Sequence, residues 1–240
     1  MRGNLKNILI LGASSDIGAE LINQINKREY TIFAHYSKNL KKNKVTNERN
    51  LKLIKADFEK INNKNYKSLI LKKFNHNYDC IVNLVGFIDN KSYENTTLED
   101  IFCSLKINSI FPMLIIRNSI KKMLKKKYGR ILNCSSIGVK FGGGQKSFNY
   151  SFSKHCLEFI PHSYKAWSKK NVLINNLRIG LTNTKIHKKN SKNKFLSKRI
   201  NLVPMQRMAS TKEIADFIIK VIDEKNSFMT GQTLSISGGE

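Results

Sequence analysis

Three side chains in one short stretch could carry out acid–base chemistry together: Ser136, Tyr150 and Lys154, in SIGVKFGGGQKSFNYSFSK. Residues four apart share a helix face, so a helix through Tyr150-Ser-Phe-Ser-Lys154 stacks the phenol on the ammonium. A neighbouring cation favours phenolate. The spacing therefore predicts that Lys154 draws the Tyr150 pKa down from its usual value of about 10, toward the range of a working acid or base. Ser136 would hydrogen-bond the same reacting oxygen. Ser135 is the adjacent alternative, although alternation along a strand turns it elsewhere. Tyr-x-x-x-Lys also arises by chance in Lys-rich helices as a solvated pair, so the surrounding elements decide between the two readings.

Those elements read as alternating strands and helices. Gly129 to Ser136 is an apolar run opened by a turn glycine and closed by two serines, a buried strand that delivers hydroxyls at its C-terminal end. In open α/β sheets, ligands bind at that end. Leu5 to Leu11 is a second such strand. It runs into Gly12-Ala-Ser-Ser-Asp-Ile-Gly18 and then the helical pattern Ile17, Leu21, Ile22, Ile25. Strand, glycine turn and helix make the setting of a dinucleotide site: Gly12, Ser14, Ser15, Asp16, Ile17 and Gly18 would bring backbone and a helix N-terminus to a pyrophosphate. Asp16 is placed to cap that helix, where its carboxylate would also stand near phosphates. A helix cap without a ligand is the alternative.

Further strands are expected over Tyr30–Tyr36, Leu51–Lys55, Asp79–Leu84, Val172–Leu177 and within Met229–Gly239. Helices are expected over Glu59–Phe74, from a Thr97/Asp100 cap to about Lys127 with a kink at Pro112, around Tyr150 with Phe152, Cys156, Phe159 and Ile160 within it, and from Ser210. This order gives the fold class α/β, a doubly wound parallel sheet with helices on both faces and right-handed crossovers. The end of the second strand carries Tyr36, Ser37 and Lys38, with no acid to hold a free ribose hydroxyl. A hydroxyl and a cation suit a phosphate, so NADP(H) is favoured and NAD(H) remains possible. A solvated basic loop is the alternative reading of this stretch.

Over nearly the whole chain these motifs resemble the short-chain dehydrogenase/reductase family, a large group of nicotinamide-dependent oxidoreductases. The resemblance implies a single NAD(P)-binding Rossmann domain over 1–240, with a substrate lid at about 181–205. It implies hydride transfer between the nicotinamide and a carbonyl carbon, with Tyr150 giving the proton in reduction and Ser136 holding the forming alkoxide. Lys154 would also hold the nicotinamide ribose, and Asn108 would bend its helix and support a proton relay through water. Asp57, with Phe58 beside it, matches the position that contacts adenine. Asn83 and Gly86 remain of the family's Asn-Asn-Ala-Gly. Gly180, Thr182 and Thr184 match positions that bind the nicotinamide carboxamide or phosphates. The apolar faces of the Tyr150 helix and the helix before it imply a homodimer or homotetramer.

The chain departs from the pattern at Leu11, Asp16, Leu84 and Ile179, and Tyr150 follows Ser136 by 14 residues, one more than in many relatives. The glycines at 142–144 could absorb the extra residue. Because of these departures a second reading, a cofactor-binding regulator or scaffold without turnover, is kept. Relatives that reduce 3-oxoacyl groups on acyl carrier protein present basic residues beside the active-site mouth, and Lys127 and Lys170 match those positions. Relatives acting on sugar-related carbonyls share the overall pattern, so the substrate is left as a small-molecule or carrier-bound carbonyl.

The 240 residues suffice for one well-buried domain, and no linker divides them. The formal charge of +26 comes from lysines spread throughout rather than gathered in one stripe, so no nucleic-acid partner is expected. Cys80, Cys103, Cys134 and Cys156 lack paired spacing, which suits free thiols in a reducing cytoplasm, and no metal site is expected. Without a leader pattern or an apolar run near 18 residues, neither secretion nor membrane spanning is expected.

Overall fold

Strand β1 (Lys6–Leu11) sends Ile8 and Ile10 to one face of a sheet and Leu9 and Leu11 to the other, all four fully buried. A strand apolar on both faces needs a layer on each side. The computed structural model of the chain, which describes residues 5–38, 50–61, 65–185 and 193–240, shows those layers. With β1 run β2 (Tyr30–Tyr36), β3 (Leu51–Lys55), β4 (Cys80–Asn83), β5 (Gly129–Ser136), β6 (Val172–Ile179) and β7 (Thr233–Ile236). They pair in parallel in the order β3-β2-β1-β4-β5-β6-β7.

On one face Leu9, Leu11, Phe33, Ile81, Ile131 and Ile174 pack with α2 (Tyr66–Phe74) and α4 (Phe111–Lys126). On the other, Ile8, Ile10, Ile32, Val82, Leu132 and Leu177 pack with α1 (Asp16–Gln24) and a C-terminal helix, Thr211–Ile222. The chain winds outward from β1 to β3 and then crosses back to β4. The strand order therefore reverses between β1 and β4, opening a crevice at their C-terminal ends.

Three helix expectations change. The helix expected from Glu59 begins at Tyr66: the Asp57 carboxylate accepts from the Glu59 backbone N–H at 3.2 Å, a local turn that competes with helix. The helix capped by Thr97 and Asp100 has that reciprocal cap, yet it divides into α3 (Leu98–Leu105) and α4 around a π-turn at Lys106–Ile110. Pro112 has no N–H to close the i→i−4 bond onto the Asn108 carbonyl, which accounts for a wider turn there. The Tyr150 helix, α5 (Phe148–Leu157), ends early because Pro161 follows, and a short α6 (Tyr164–Ser168) comes after it. Strand ends shift by one or two residues, β6 running on to Ile179.

Candidate active site

Gly12 follows β1 at φ +78°, and a Cβ there would come within 2.8 Å of the Leu84 carbonyl. Only glycine lets the loop lie directly against the end of β4. Its N–H donates to His35 Nδ1 at 3.2 Å, while His35 Nε2 donates to the Ala56 carbonyl at 2.9 Å. Burial lowers the His35 pKa to about 4, so the ring is a neutral prop between β2, β3 and the loop. Sequence reasoning passed over His35. The signal was present as the one ionisable side chain at an inward position of β2.

Ser15, not Asp16, caps α1, its Oγ accepting from the Gly18 N–H at 3.0 Å. The Asp16 carboxylate instead accepts from the Lys185 backbone N–H at 2.7 Å and lies 3.6 Å from Lys185 Nζ. An N-cap has to stand outside the helix, and Asp16 is already its first residue. Ser14 is exposed, Ile17 half-buried, and the N-terminus of α1 faces the crevice end of the sheet.

Lys154 is the buried centre, 2 % exposed. Its Nζ donates to the carbonyls of Val85, just beyond β4, at 2.7 Å and of Cys134, in β5, at 2.6 Å. Gly86 lies under the Tyr150 ring edge, a Cβ there falling 3.8 Å from Cε2. Ser136, at the end of β5, accepts from the Gly138 N–H at 3.2 Å, and its hydroxyl acts on the Tyr150 phenol to lower that group's pKa. The hydroxyl, phenol and ammonium therefore converge at the ends of β4 and β5. Ser135 points away, toward the Lys154 carbonyl.

The Tyr150 pKa, expected to fall, is pushed up to about 12. Burial dominates, and the Ser136 hydroxyl opposes it. Lys154 shares the helix face as expected, but its long stem carries the ammonium to the strand carbonyls, 5.9 Å from the Tyr150 ring centre. Burial also lowers Lys154, to about 8.

Asn108, fully buried in the π-turn, accepts from the Phe87 N–H at 2.7 Å and donates to the Phe87 carbonyl at 3.0 Å and to Ser153 Oγ at 2.8 Å. Its amide ties α5 to the segment after β4. Asn83 is likewise committed, to the Val85 N–H and Asn133. Ser153 has no distinctive signal in the sequence.

The remaining predicted residues spread outward. Tyr36, Ser37 and Lys38 ring the end of β2, with Lys38 paired to Glu59 at 3.5 Å. Asp57 faces the same edge, whereas the Phe58 ring is in the core, stacked on His35. Gly180 packs on the C-terminal turn, a Cβ meeting Ser237 Cα at 2.5 Å. Thr182 is buried and bonded to the Gly180 carbonyl, and Thr184 lies beside it. Of the expected lid, 186–192 lies outside the described residues, while Asn193–Asn201 is helical. A cavity of about 440 Å³ opens beside α5, lined by Tyr93, Glu94, Gly142, Gly144, Lys146 and Phe148.

Lys127 and Lys170 do not flank this mouth. They precede the starts of β5 and β6, and eight residues of strand, roughly 26 Å, separate that end from Ser136.

Comparison with known proteins agrees with this geometry. A family model described as Enoyl-(Acyl carrier protein) reductase matches residues 12–240. The chain belongs to the short-chain dehydrogenase/reductase family. Within this family of nicotinamide-dependent oxidoreductases, the 3-oxoacyl-[acyl-carrier-protein] reductase FabG of Buchnera aphidicola subsp. Schizaphis graminum is 26 % identical over all of this chain and 98 % of its own length. The enzyme of that name from Aquifex aeolicus is 32 % identical over 67 % of this chain and 64 % of its own. Among solved structures, a 3-oxoacyl (acyl-carrier-protein) reductase from Agrobacterium tumefaciens C58 with NADP bound superposes with a TM-score of 0.84. It is 20 % identical and covers all of this chain and 95 % of its own, which supports the shared fold.

Proposed function

We propose that this oxidoreductase reduces a carbonyl to a secondary alcohol with NADP(H), by hydride transfer, and that its substrate is a 3-oxoacyl group on acyl carrier protein. The observation that carries the chemistry is the convergence of Ser136, Tyr150 and Lys154 where strands β4 and β5 end. A pKa raised to about 12 keeps the Tyr150 phenol protonated throughout the neutral range, which suits a proton donor to a forming alkoxide, a far stronger base. Ser136 holds that oxygen. Lys154 supplies the cation beside it, and Asn108 keeps the π-turn and α5 in register.

The residues present fit a nicotinamide dinucleotide. Gly12 admits close approach, the α1 N-terminus offers N–H groups to a pyrophosphate, and Tyr36, Ser37 and Lys38 replace the acid that would reject a 2′-phosphate. When bound, the cofactor supplies the hydride. NAD(H) remains the weaker alternative.

The relatives' names support the carrier-bound substrate, and the net charge of +26 favours an acidic partner through steering that salt weakens. Leu98 and Phe102 on α3, Ile110 in the π-turn, Met113 on α4, Phe152 on α5 and Phe159 just after it are exposed apolar side chains, which supports a homodimer or homotetramer through those elements. Among the described residues no helix is long and apolar enough to cross a membrane, which is compatible with a cytoplasmic site of action. The test follows loss of NADPH absorbance with a 3-oxoacyl carrier thioester, a sugar-related carbonyl and a small ketone. Turnover of the thioester that weakens with salt is expected; turnover of the sugar-related carbonyl alone would replace the substrate reading, and none at all would favour the cofactor-binding regulator.

A further inference from the structure

Asp16 is the first residue of α1, so its carboxylate stands at the helix end that the cofactor's diphosphate would approach. Ser15 already caps that helix, and Asp16 bonds elsewhere. It accepts from the Lys185 backbone N–H at 2.7 Å, across 169 residues of chain, and lies 3.6 Å from the Lys185 ammonium. The Asp16 side chain is 16 % exposed and that of Lys185 50 %. An anchored segment delivers Lys185 to this place. Just past β6, the Asn183 N–H donates to the Ala209 carbonyl and the Ala209 N–H donates to the Leu181 carbonyl, each at 2.9 Å.

A carboxylate fixed at the end of α1 opposes an anionic diphosphate at the short range where Coulomb energies are large. Two readings of its pairing with Lys185 are open. As a structural tie, the pair fastens the segment after β6 to α1, although an ion pair this open to water contributes little stability by itself. As a charge device, it cancels Asp16 and brings an ammonium with three N–H donors to the phosphates. The surroundings favour the second. Gly12 admits close approach of a ligand to the backbone, α1 directs its N-terminus to the same place, and Lys185 stands within ion-pair distance of that helix's first residue.

We propose that Lys185 is a further cofactor-binding residue: its ammonium offsets Asp16 and takes the diphosphate of the nicotinamide cofactor, so that the dinucleotide binds despite the carboxylate at the helix end. The proposal rests on the reading of this crevice as a dinucleotide site. It concerns binding alone, and gives Lys185 no part in proton or hydride transfer.

Fluorescence titration of the full-length chain with NADPH and with NADH reads the pair without any turnover. Lys185→Ala should raise both dissociation constants about tenfold, while Lys185→Arg keeps the cation and should stay within about threefold of the parent. Asp16→Asn keeps an oxygen for the Lys185 N–H but removes the charge, so both constants should fall several-fold. The double variant of Asp16→Asn with Lys185→Ala should return near the parent. Because the diphosphate is common to both cofactors, the ratio of the two constants should hold in every variant. Added salt should shrink the Lys185→Ala effect, as screening of exposed charges requires. A structural tie predicts instead that Asp16→Asn leaves binding unchanged or weakens it. Either of those outcomes would overturn the proposal, as would unchanged constants in Lys185→Ala, a loss confined to NADPH, which would put the ammonium at the 2′-phosphate, or a parent that binds neither cofactor. If the parent binds cofactor but turns over no carbonyl, the proposed function fails while these constants still decide Lys185. If turnover stands and the constants do not move, Lys185 alone leaves the site.

Discussion

The two ends of the crevice are built on different principles. Lys154 and Asn108 are buried and committed: two strand carbonyls to one ammonium, three bonds to one amide. At the end of β2, Tyr36, Ser37 and Lys38 are half-buried or exposed, and the described ion pair, Lys38 with Glu59, is open to water. Buried groups left unpaired cost their full desolvation, whereas exposed ion pairs contribute about 0–1 kcal/mol. The chemistry end should therefore respond to single atoms, and the cofactor-selecting end should respond in smaller, graded steps.

Substitution at the centre should show the largest effect. Lys154→Ala strands the Val85 and Cys134 carbonyls and removes the cation, so kcat/KM should fall about 10³-fold or more and the cofactor Kd should rise about tenfold. Steady-state kinetics with equilibrium cofactor titration measure both, and unchanged cofactor affinity would remove the ribose contact. Next comes Asn108→Ala, which leaves the Phe87 N–H and carbonyl and the Ser153 hydroxyl without their partner. Urea unfolding should show a loss of about 3 kcal/mol. A loss under about 1 kcal/mol would mean that the amide does not hold the π-turn.

Much of this architecture was legible in the sequence, and the gaps have physical causes. The ranges of β2 and β5 read correctly from their apolar runs because a doubly covered sheet demands such runs. A bend at Asn108 and a kink at Pro112 were expected, but the π form of the turn was not, and the amide bonds that hold it reach Ser153, 45 residues away. Helical periodicity placed Tyr150 and Lys154 on one face, but it says nothing about where a four-carbon stem delivers its charge, so the direction of the Tyr150 shift was misread. The family resemblance suggested Lys127 and Lys170 as residues of the mouth; only strand direction shows that they sit at the far end. The ion pair of Glu158, just after α5, with Arg178 in β6, at 2.7 Å, is likewise invisible until the helix end lies on that strand.

The smallest effect belongs to the β2 end. Tyr36→Asp should move the ratio of NADPH to NADH dissociation constants about tenfold toward NADH, roughly 1.4 kcal/mol, with kcat little changed. Fluorescence titration of both cofactors against both proteins tests it, and an unchanged ratio removes Tyr36 from the selecting edge.

The central claim is that the Tyr150 oxygen delivers the proton, and Tyr150→Phe tests it most directly, because the ring stays and only the hydroxyl is lost. NADPH-dependent turnover of the carbonyl substrate should fall about 10³-fold or more, while the NADPH dissociation constant stays within about twofold. Activity within tenfold of the parent, with cofactor affinity intact, would contradict the account.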